Sequence, residues 1–154
     1  MIERLVLAAA LCLSACGQSD EISIQVYSAT LATGSGPPPA ATERVDYPGS
    51  VRGGAGLYDV AAEPLITEWS IVAFKAAAQP DGSKAVIARL NAYSQKKMAE
   101  YTDDEENLRK YLAVRVDGRW ADIGPLLSPV RDRITLYGFT EEEAERLERA
   151  LATR

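Results

Sequence analysis

The sequence predicts an α+β domain in which a mixed, mainly antiparallel β-sheet has two helices packed on one of its faces. The first observation is the segment 109–123, where apolar and polar residues alternate around Asp117-Gly118. This period of two is typical of strands with one buried face, and Asp-Gly is a favoured two-residue turn, so the segment predicts a β-hairpin. The second observation is a pair of capped helical segments, 92–102 and 140–151, each with apolar residues on one side.

The first residues are typical of a targeting segment. Residues 5–13 are an apolar run that is too short to cross a bilayer and fits the apolar part of a secretory signal. Leu13-Ser14-Ala15-Cys16 follows and resembles the lipobox of bacterial lipoproteins. That resemblance implies that residues 1–15 are removed as a signal peptide and that the sulfur of Cys16 is acylated, which anchors the chain to a membrane. The alternatives are a cleaved signal without lipid, or a buried start of the domain.

The lipoprotein resemblance also implies a location. Residues 16–21 would be a short tether, about 17 Å long at full extension, so the domain would lie close to the extracytoplasmic face of a bacterial membrane. Gly17 follows the cysteine where an aspartate would favour inner-membrane retention. In a cell with two membranes, the sorting rule of this family therefore favours the periplasmic side of the outer membrane.

Residues 22–154 are expected to form one domain, since a chain of this length with 47% apolar residues can build a single core. Residues 21–28 alternate and predict a strand. Residues 31–56 are rich in proline and glycine and predict a surface loop. Residues 57–61 predict a second strand, and after Pro64 a short turn leads into a third strand.

The middle of the chain predicts a turn, a strand and the first helix. Residues 79–82, Gln-Pro-Asp-Gly, predict the turn, and residues 84–90 predict the strand. Asn91 can cap the helix at 92–102, because its side-chain oxygen can accept a free amide of the first turn. The helix residues expected to face the sheet are Ser94, Met98 and Tyr101.

The end of the chain predicts one more strand and the second helix. Residues 133–137 alternate weakly, and residues 138–139 predict a turn into the helix. Thr140 is the expected cap, and Glu143 completes a capping box with it. The residues expected on the buried side of this helix are Ala144, Leu147 and Leu151.

Composition excludes several classes of function. There are 17 Lys and Arg against 22 Asp and Glu, a net charge of −5, so we expect no nucleic-acid partner. Histidine is absent, and the two cysteines, Cys12 and Cys16, both lie near the start. The acidic run 103–106 lacks the alternating ligands and turn glycine of a calcium loop and is expected to be solvated. We therefore expect no catalytic residue, no metal and no cofactor, and we predict that the chain is not an enzyme.

Four motifs occur in order along residues 65–151: Leu90-Asn91-Ala92, Met98-Ala99-Glu100-Tyr101-Thr102, Val116-Asp117-Gly118-Arg119 and Gly138-Phe139-Thr140-Glu141-Glu142-Glu143-Ala144. With these motifs, residues 65–151 resemble the P1 head of SecD, the large extracytoplasmic region of the SecD/SecF protein-export machinery. Three departures stand out: Ser94-Gln95 where the family tends to have Gly-Ala, the loop at 31–55, and the lack of a segment that corresponds to the family's transmembrane helices.

The resemblance implies a binding head without a motor. The first hypothesis is a lipid-anchored, non-catalytic module that binds unfolded polypeptide or envelope and export proteins, with a link to protein export. The alternative is a structural or accessory envelope lipoprotein with this fold and no export role. A hydrolase would need a convergent pair of carboxylates in a buried pocket. The hairpin side chains interpreted as scaffold and binding surface are Arg115, Asp117, Arg119 and Asp122.

Overall fold

The computed structural model describes residues 20–154, so the predicted signal segment 1–15 and Cys16 lie outside the described residues. The strands are β1 Ile24–Leu31, β2 Thr42–Tyr47, β3 Gly56–Ala61, β4 Ile66–Thr67, β5 Ile71–Ala78, β6 Lys84–Leu90, β7 Tyr111–Val116, β8 Arg119–Pro125 and β9 Arg133–Phe139. The helices are α1 Ala92–Thr102, α2 Glu105–Leu108 and α3 Glu141–Ala152, and a 3₁₀ turn at Glu68–Ser70 joins β4 to β5.

The strands form two sheets, where the sequence predicted one. The larger sheet has the order β2-β3-β1-β7-β8, and the short strand β4 also pairs with β1. The smaller sheet has the order β5-β6-β9. Each pairing between described strands is antiparallel. The α+β class with mainly antiparallel strands is therefore confirmed, and none of the helices in residues 20–154 is long and apolar enough to cross a membrane.

The predicted hairpin is β7-β8, and its turn has the expected backbone. Asp117 and Gly118 have φ of 48° and 81°, the left-handed geometry that a two-residue hairpin turn requires. The prediction of one buried face is wrong, since Leu112 is 8% exposed and its neighbour Ala113, on the opposite face, is 0% exposed. Both faces of this hairpin are covered because a separate core lies on each side of the larger sheet.

The main core lies between the two sheets and helices α1 and α3. Met98 of α1 and Leu147 of α3 are both fully buried in it, as the helical spacing predicted. The predicted caps are confirmed as well. Asn91 accepts a hydrogen bond from the Ser94 amide at 2.8 Å. The strand residues of this core include Ile24, Val26, Ile71, Val86, Ala88, Leu90, Leu112, Val114, Val116, Ile134, Leu136 and Phe139.

The second core lies on the other face of the larger sheet, which curls around it. Three ring pairs pack edge to face in this core with centroids 5.3 to 6.2 Å apart, and such pairs add about 0.5–1.5 kcal/mol each beyond their buried area. The segment 48–55 between β2 and β3 reaches β8, where a Cβ on Gly53 would overlap the carbonyl oxygen of Ile123. The buried members are Tyr27, Ala29, Val45, Tyr47, Tyr58, Val60, Ala113 and Ile123.

The prediction of a loop across 31–56 is wrong for Thr42–Tyr47, which forms β2 and pairs with β3 along six residues. Val45 and Tyr47 alternate there and are buried at 6% and 4% exposure. The prolines and glycines on either side of this segment hid that short alternation. The remaining differences are smaller: β1 begins three residues later than predicted, α2 begins inside the acidic run, and β9 continues to Phe139.

Candidate functional site

Strand β5 has a free outer edge. It pairs with β6 on one side, and no strand within residues 20–154 pairs with its other side. Its eight residues, Ile-Val-Ala-Phe-Lys-Ala-Ala-Ala, include no proline and one charged residue, Lys75. Natural edge strands are usually blocked by prolines, charges, bulges or a covering element, because an open edge pairs readily with another chain. β5 has one register irregularity, between Ile71 and Ala73. From Ala73 to Ala78 its unpaired side has little of this protection and can accept a further strand.

The hydrogen bonds of the β5-β6 hairpin show which amides of β5 face outward. The Gln79 amide donates to the carbonyl oxygen of Ser83 at 2.9 Å. Hydrogen-bonded pairs recur at every second residue of an antiparallel ladder, so Ala77 and Lys75 also bond to β6 in the observed register. The residues between them direct their amides and carbonyls to the free edge: Phe74, Ala76 and Ala78.

A groove of about 490 Å³ lies between β5 and helix α3. Phe74 and Ala76 form the apolar side of the groove, next to the outward amides of the strand. The helix side is acidic, because three glutamates at intervals of four and three residues share one face of α3. These residues are Glu141, Glu145 and Glu148.

The glutamates of this groove are largely available to an occupant. The Nζ of Lys84 lies 3.6 Å from an oxygen of Glu141, which is 74% exposed. Glu145 and Glu148 form no ion pair with any cation in the described part of the chain. An apolar floor beside an acidic wall favours a segment that combines apolar and basic side chains.

The outer face of the smaller sheet, on the other side of β5, has the opposite charge. A shallow concavity of about 430 Å³ there is lined in part by Ala73 and by Ile87, which is 37% exposed. Of the cations around it, Arg133 pairs with the neighbouring Asp132 at 3.5 Å. These cations are Lys75, Arg89 and Arg133.

The geometry of β5 is suited to β-strand addition. In this binding mode main-chain hydrogen bonds supply affinity, and alternate side chains of the added strand enter different environments. Side chains on one face of a strand added at β5 would enter the acidic groove. Those on the other face would lie beside the cationic outer face of the sheet.

A buried ion pair joins the 48–55 segment to the larger sheet. Asp122 on β8 is 2% exposed. Arg52 Nη1 donates to Asp122 Oδ2 at 2.7 Å, and Ser50 Oγ donates to Asp122 Oδ1 at 3.0 Å. Arg52 Nη2 also donates to the Pro125 carbonyl at 3.1 Å, and its guanidinium lies 3.8 Å from the centroid of the Tyr137 ring. This arrangement fastens the curled sheet.

Burial raises the pKa of the Asp122 carboxyl above its ordinary value, and the neighbouring Arg52 and Ser50 offset part of that rise. A cavity of about 280 Å³ lies beside the pair, between β9 and the connector from β8. Both oxygens of Asp122 are already engaged by donors from the 48–55 segment. The carboxyl therefore holds the 48–55 segment against β8, which is a structural role.

The second buried carboxylate, Asp59 on β3, has a partner of its own. It is 7% exposed and accepts hydrogen bonds from Arg44 Nε at 2.8 Å and Arg44 Nη2 at 3.1 Å. β3 and β8 are not neighbours in the sheet, and Asp59 and Asp122 each bind a different arginine. No group of three or more potential metal ligands occurs in residues 20–154.

The acidic run 103–106 is exposed, as predicted. Asp103 pairs with Arg131 at 3.1 Å, and Asp104 caps α2 by accepting the Glu106 amide at 2.9 Å. These contacts explain the run as a helix start with solvated acids.

Two of the hairpin side chains tie β7-β8 to the last helix. Asp117 pairs with Arg146 at 2.5 Å, and Arg119 pairs with Glu143 at 2.7 Å. Arg115 lies over the Trp120 ring, 5.3 Å from its centroid.

Sequence reasoning missed the free edge of β5 and the role of Arg52 and Asp122. The position of β5 was predicted, but its edge is defined by pairings between distant segments, which no local pattern reports. For Asp122 the available signal was an acid inside an otherwise apolar strand end, next to Ile123. Residues of this kind need a buried partner, although nothing local identified Arg52 as that partner.

Two solved structures of SecDF have a similar fold. One, of SecDF as a membrane component that enhances protein export, gives a TM-score of 0.53 at 16% identity, covering 84% of this chain and 61% of that chain. The other, of SecDF in its super-membrane-facing form, gives a TM-score of 0.51 at 18% identity, covering 84% and 18%. This chain thus spans less than two thirds of either. No protein-family model and no curated protein matches the sequence. The chain has a SecD-like fold.

Proposed function

We propose that this protein is a lipid-anchored, extracytoplasmic module that binds extended polypeptide along the free edge of β5 and performs no catalysis. The observation behind this proposal is the row of outward amides at Phe74, Ala76 and Ala78 beside the acidic groove. A SecD-like fold supports a link to protein export, because SecDF is a membrane component that enhances export.

The anchor in this proposal is an acylated Cys16 exposed by removal of residues 1–15. Its support is the order of an apolar run, small residues and a cysteine in the sequence. Labelling with radioactive palmitate tests this directly: wild type incorporates label and sediments with membranes, and Cys16→Ala does neither. Equal labelling of Cys16→Ala would contradict the anchor and leave polypeptide binding by the domain untouched.

The absence of catalysis is supported by the state of the buried acids. Asp59 and Asp122 each bind a different arginine, and the acids 103–106 are exposed, so these residues do not form the convergent pair of buried carboxylates that a hydrolase would need.

Strand addition is tested with two substitutions at one position. Ala76→Pro removes an amide that faces the free edge and leaves the hydrogen bonds to β6 in place. Ala76→Val keeps that amide and favours a strand. The probe is a peptide of eight residues, the length of β5, that alternates valine and lysine.

We expect isothermal titration calorimetry to show binding to wild type and Ala76→Val, and at least about tenfold weaker binding to Ala76→Pro, since a lost hydrogen bond and a steric clash act together. Thermal unfolding of the two variants is the control for folding. Equal affinity of folded Ala76→Pro and Ala76→Val would show that the peptide does not add to β5. No binding to any of the three would favour the structural or accessory role.

A further inference from the structure

One end of the domain gathers the first described residues, the 3₁₀ turn and the C-terminus. The Ile24 amide donates to Glu68 Oε2 at 3.1 Å. Arg154 Nη1 donates to the carbonyl of the same glutamate at 2.7 Å. Arg149 Nε donates to Asp20 Oδ1 at 2.7 Å. The described part of the chain therefore begins at this end of the domain, close to the start of β1.

Two large aromatic side chains are exposed at this end. Trp69 is 69% exposed and Tyr93 is 76% exposed. The Asn91 Nδ2 donates to the Trp69 carbonyl at 3.1 Å, which ties the first turn of α1, with Tyr93, to the 3₁₀ turn. The Arg154 guanidinium lies over the Trp69 ring, 4.2 Å from its centroid. Tryptophan and tyrosine have an apolar body and one polar atom, the chemistry that places them in the headgroup layer of bilayers.

The arginines near these rings are engaged within the protein, so they do not form a free basic cluster for anionic lipid. Arg149 pairs with Asp20, and Arg146 donates to the carbonyl of Glu21. The charged residues that take part in these contacts are Asp20, Glu21, Glu68, Asp117, Arg146, Arg149 and Arg154. A surface with exposed rings and no free basic cluster favours a zwitterionic lipid interface as much as an anionic one.

The distance to the proposed anchor is short. Three residues lie between Cys16 and Asp20, and the four Cα–Cα steps from one to the other span at most about 14 Å. We propose that Trp69 and Tyr93 insert into the headgroup region of the bilayer that holds the acyl chains of Cys16, and that this contact orients the domain. The inference rests on the lipid anchor of the proposed function. β5 begins two residues after Trp69, so docking places the start of the polypeptide-binding edge at the membrane and its groove above it.

The test uses tryptophan fluorescence, because the chain has two tryptophans, Trp69 and Trp120. In the full lipidated protein, Trp120→Phe leaves Trp69 as the reporter. The protein is reconstituted in phosphatidylcholine vesicles with and without lipids brominated near the headgroup. We expect bromination to reduce Trp69 emission at least about twofold, and addition of anionic lipid to change this little, because the contact is aromatic.

The matched control places the reporter at the opposite end of the larger sheet. Leu127 is 82% exposed and follows β8. β8 starts at the hairpin turn, near the start of β1, and its seven residues span about 20 Å, so Leu127 lies about that far from the turn. In a Trp69→Phe, Trp120→Phe background, Leu127→Trp is expected to show no loss of emission with brominated lipid. Tyr93→Ser, with Trp69 as reporter, is expected to reduce the quenching.

Three results would overturn the inference, and they are distinguishable. Protein that floats with vesicles but shows equal Trp69 emission in both lipids keeps its anchor and does not dock by this end. Equal quenching of Trp69 and of Leu127→Trp means no preferred orientation. Protein that does not float with vesicles at all has no anchor, and the anchoring part of the proposed function fails with the docking.

Discussion

The two sheets of this protein differ in what surrounds them. The larger sheet is covered on both faces, by the main core on one and by its own curl on the other. Within residues 20–154, the smaller sheet is covered on one face, and both its outer face and the outer edge of β5 are open. The hairpin β7-β8, the most regular sequence pattern, belongs to the covered sheet. The difference shows that the larger sheet is enclosed, and it leaves the smaller sheet with the open edge on which the proposed polypeptide binding depends.

Substitutions on the two faces of the smaller sheet are expected to differ most in their effect on the free energy of unfolding. Leu90 and Ile87 lie on the same strand, at 1% and 37% exposure, with Leu90 in the main core. Leu90→Ala is expected to lower the free energy of unfolding by about 2–5 kcal/mol, because it removes buried methyl groups and leaves a cavity. Ile87→Ala is expected to lower it by less than about 1 kcal/mol. Urea denaturation measures both, and equal losses would mean that the outer face is also packed.

The closure of the larger sheet is tested next, at two adjacent glycines. Gly53→Ala is expected to lower the free energy of unfolding by about 1–3 kcal/mol, because its Cβ would overlap the carbonyl oxygen of Ile123 and push the 48–55 segment off β8. Gly54→Ala, whose Cβ would meet nothing within 4 Å, is the control and should be close to neutral. Similar stability of the two variants in thermal or urea unfolding would argue against a tightly closed sheet.

Neutralising the acidic wall of the groove is expected to have a moderate effect, on peptide binding and not on stability. Replacing both Glu145 and Glu148 by glutamine should weaken the valine-lysine peptide by about three- to tenfold at low salt, because exposed charge pairs contribute about 0.2–1 kcal/mol each. The difference from wild type should shrink as salt screens the charges. The same calorimetric titration at two salt concentrations measures this, and a salt-independent difference would exclude an electrostatic origin.

The buried pair that fastens the larger sheet predicts a pH dependence. Because burial raises the pKa of Asp122 in the folded state, the folded protein binds more protons than the unfolded chain between the two pKa values. Its contribution to stability is therefore largest below the unfolded pKa and is lost as pH rises through the folded one. Wild type should gain stability relative to Asp122→Asn as pH falls from neutral to acid. A relative loss in urea denaturation at low pH would mean that Arg52 dominates and lowers the pKa.

Local sequence patterns were sufficient for the elements with strong local signals. Asn91 and Thr140 cap their helices as predicted, and Asp117-Gly118 makes the predicted turn. β2 was missed because only Val45 and Tyr47 alternate between long proline- and glycine-rich flanks.

The candidate site could not be predicted in the same way. An open edge is defined by which strands fail to pair, and that depends on contacts between β5, β6 and β9 that are distant in sequence. Of the three glutamates of the groove, Glu141 fits the first turn of any helix, where acids are favoured by the dipole, and Glu145 and Glu148 fit any exposed helix face. These glutamates face Phe74 and Ala76 across the groove only because the chain folds, and no local sequence pattern reports that proximity.

The alternation of amides along β5 allows the most direct test of strand addition. Residue-resolved hydrogen exchange by NMR is measured with and without the saturating valine-lysine peptide. We expect the amides of Phe74, Ala76 and Ala78 to become protected on binding, and those of Lys75 and Ala77, already bonded to β6, to change little. Peptide binding without added protection at Phe74, Ala76 and Ala78 would contradict the account, because the peptide would then lie elsewhere on the domain.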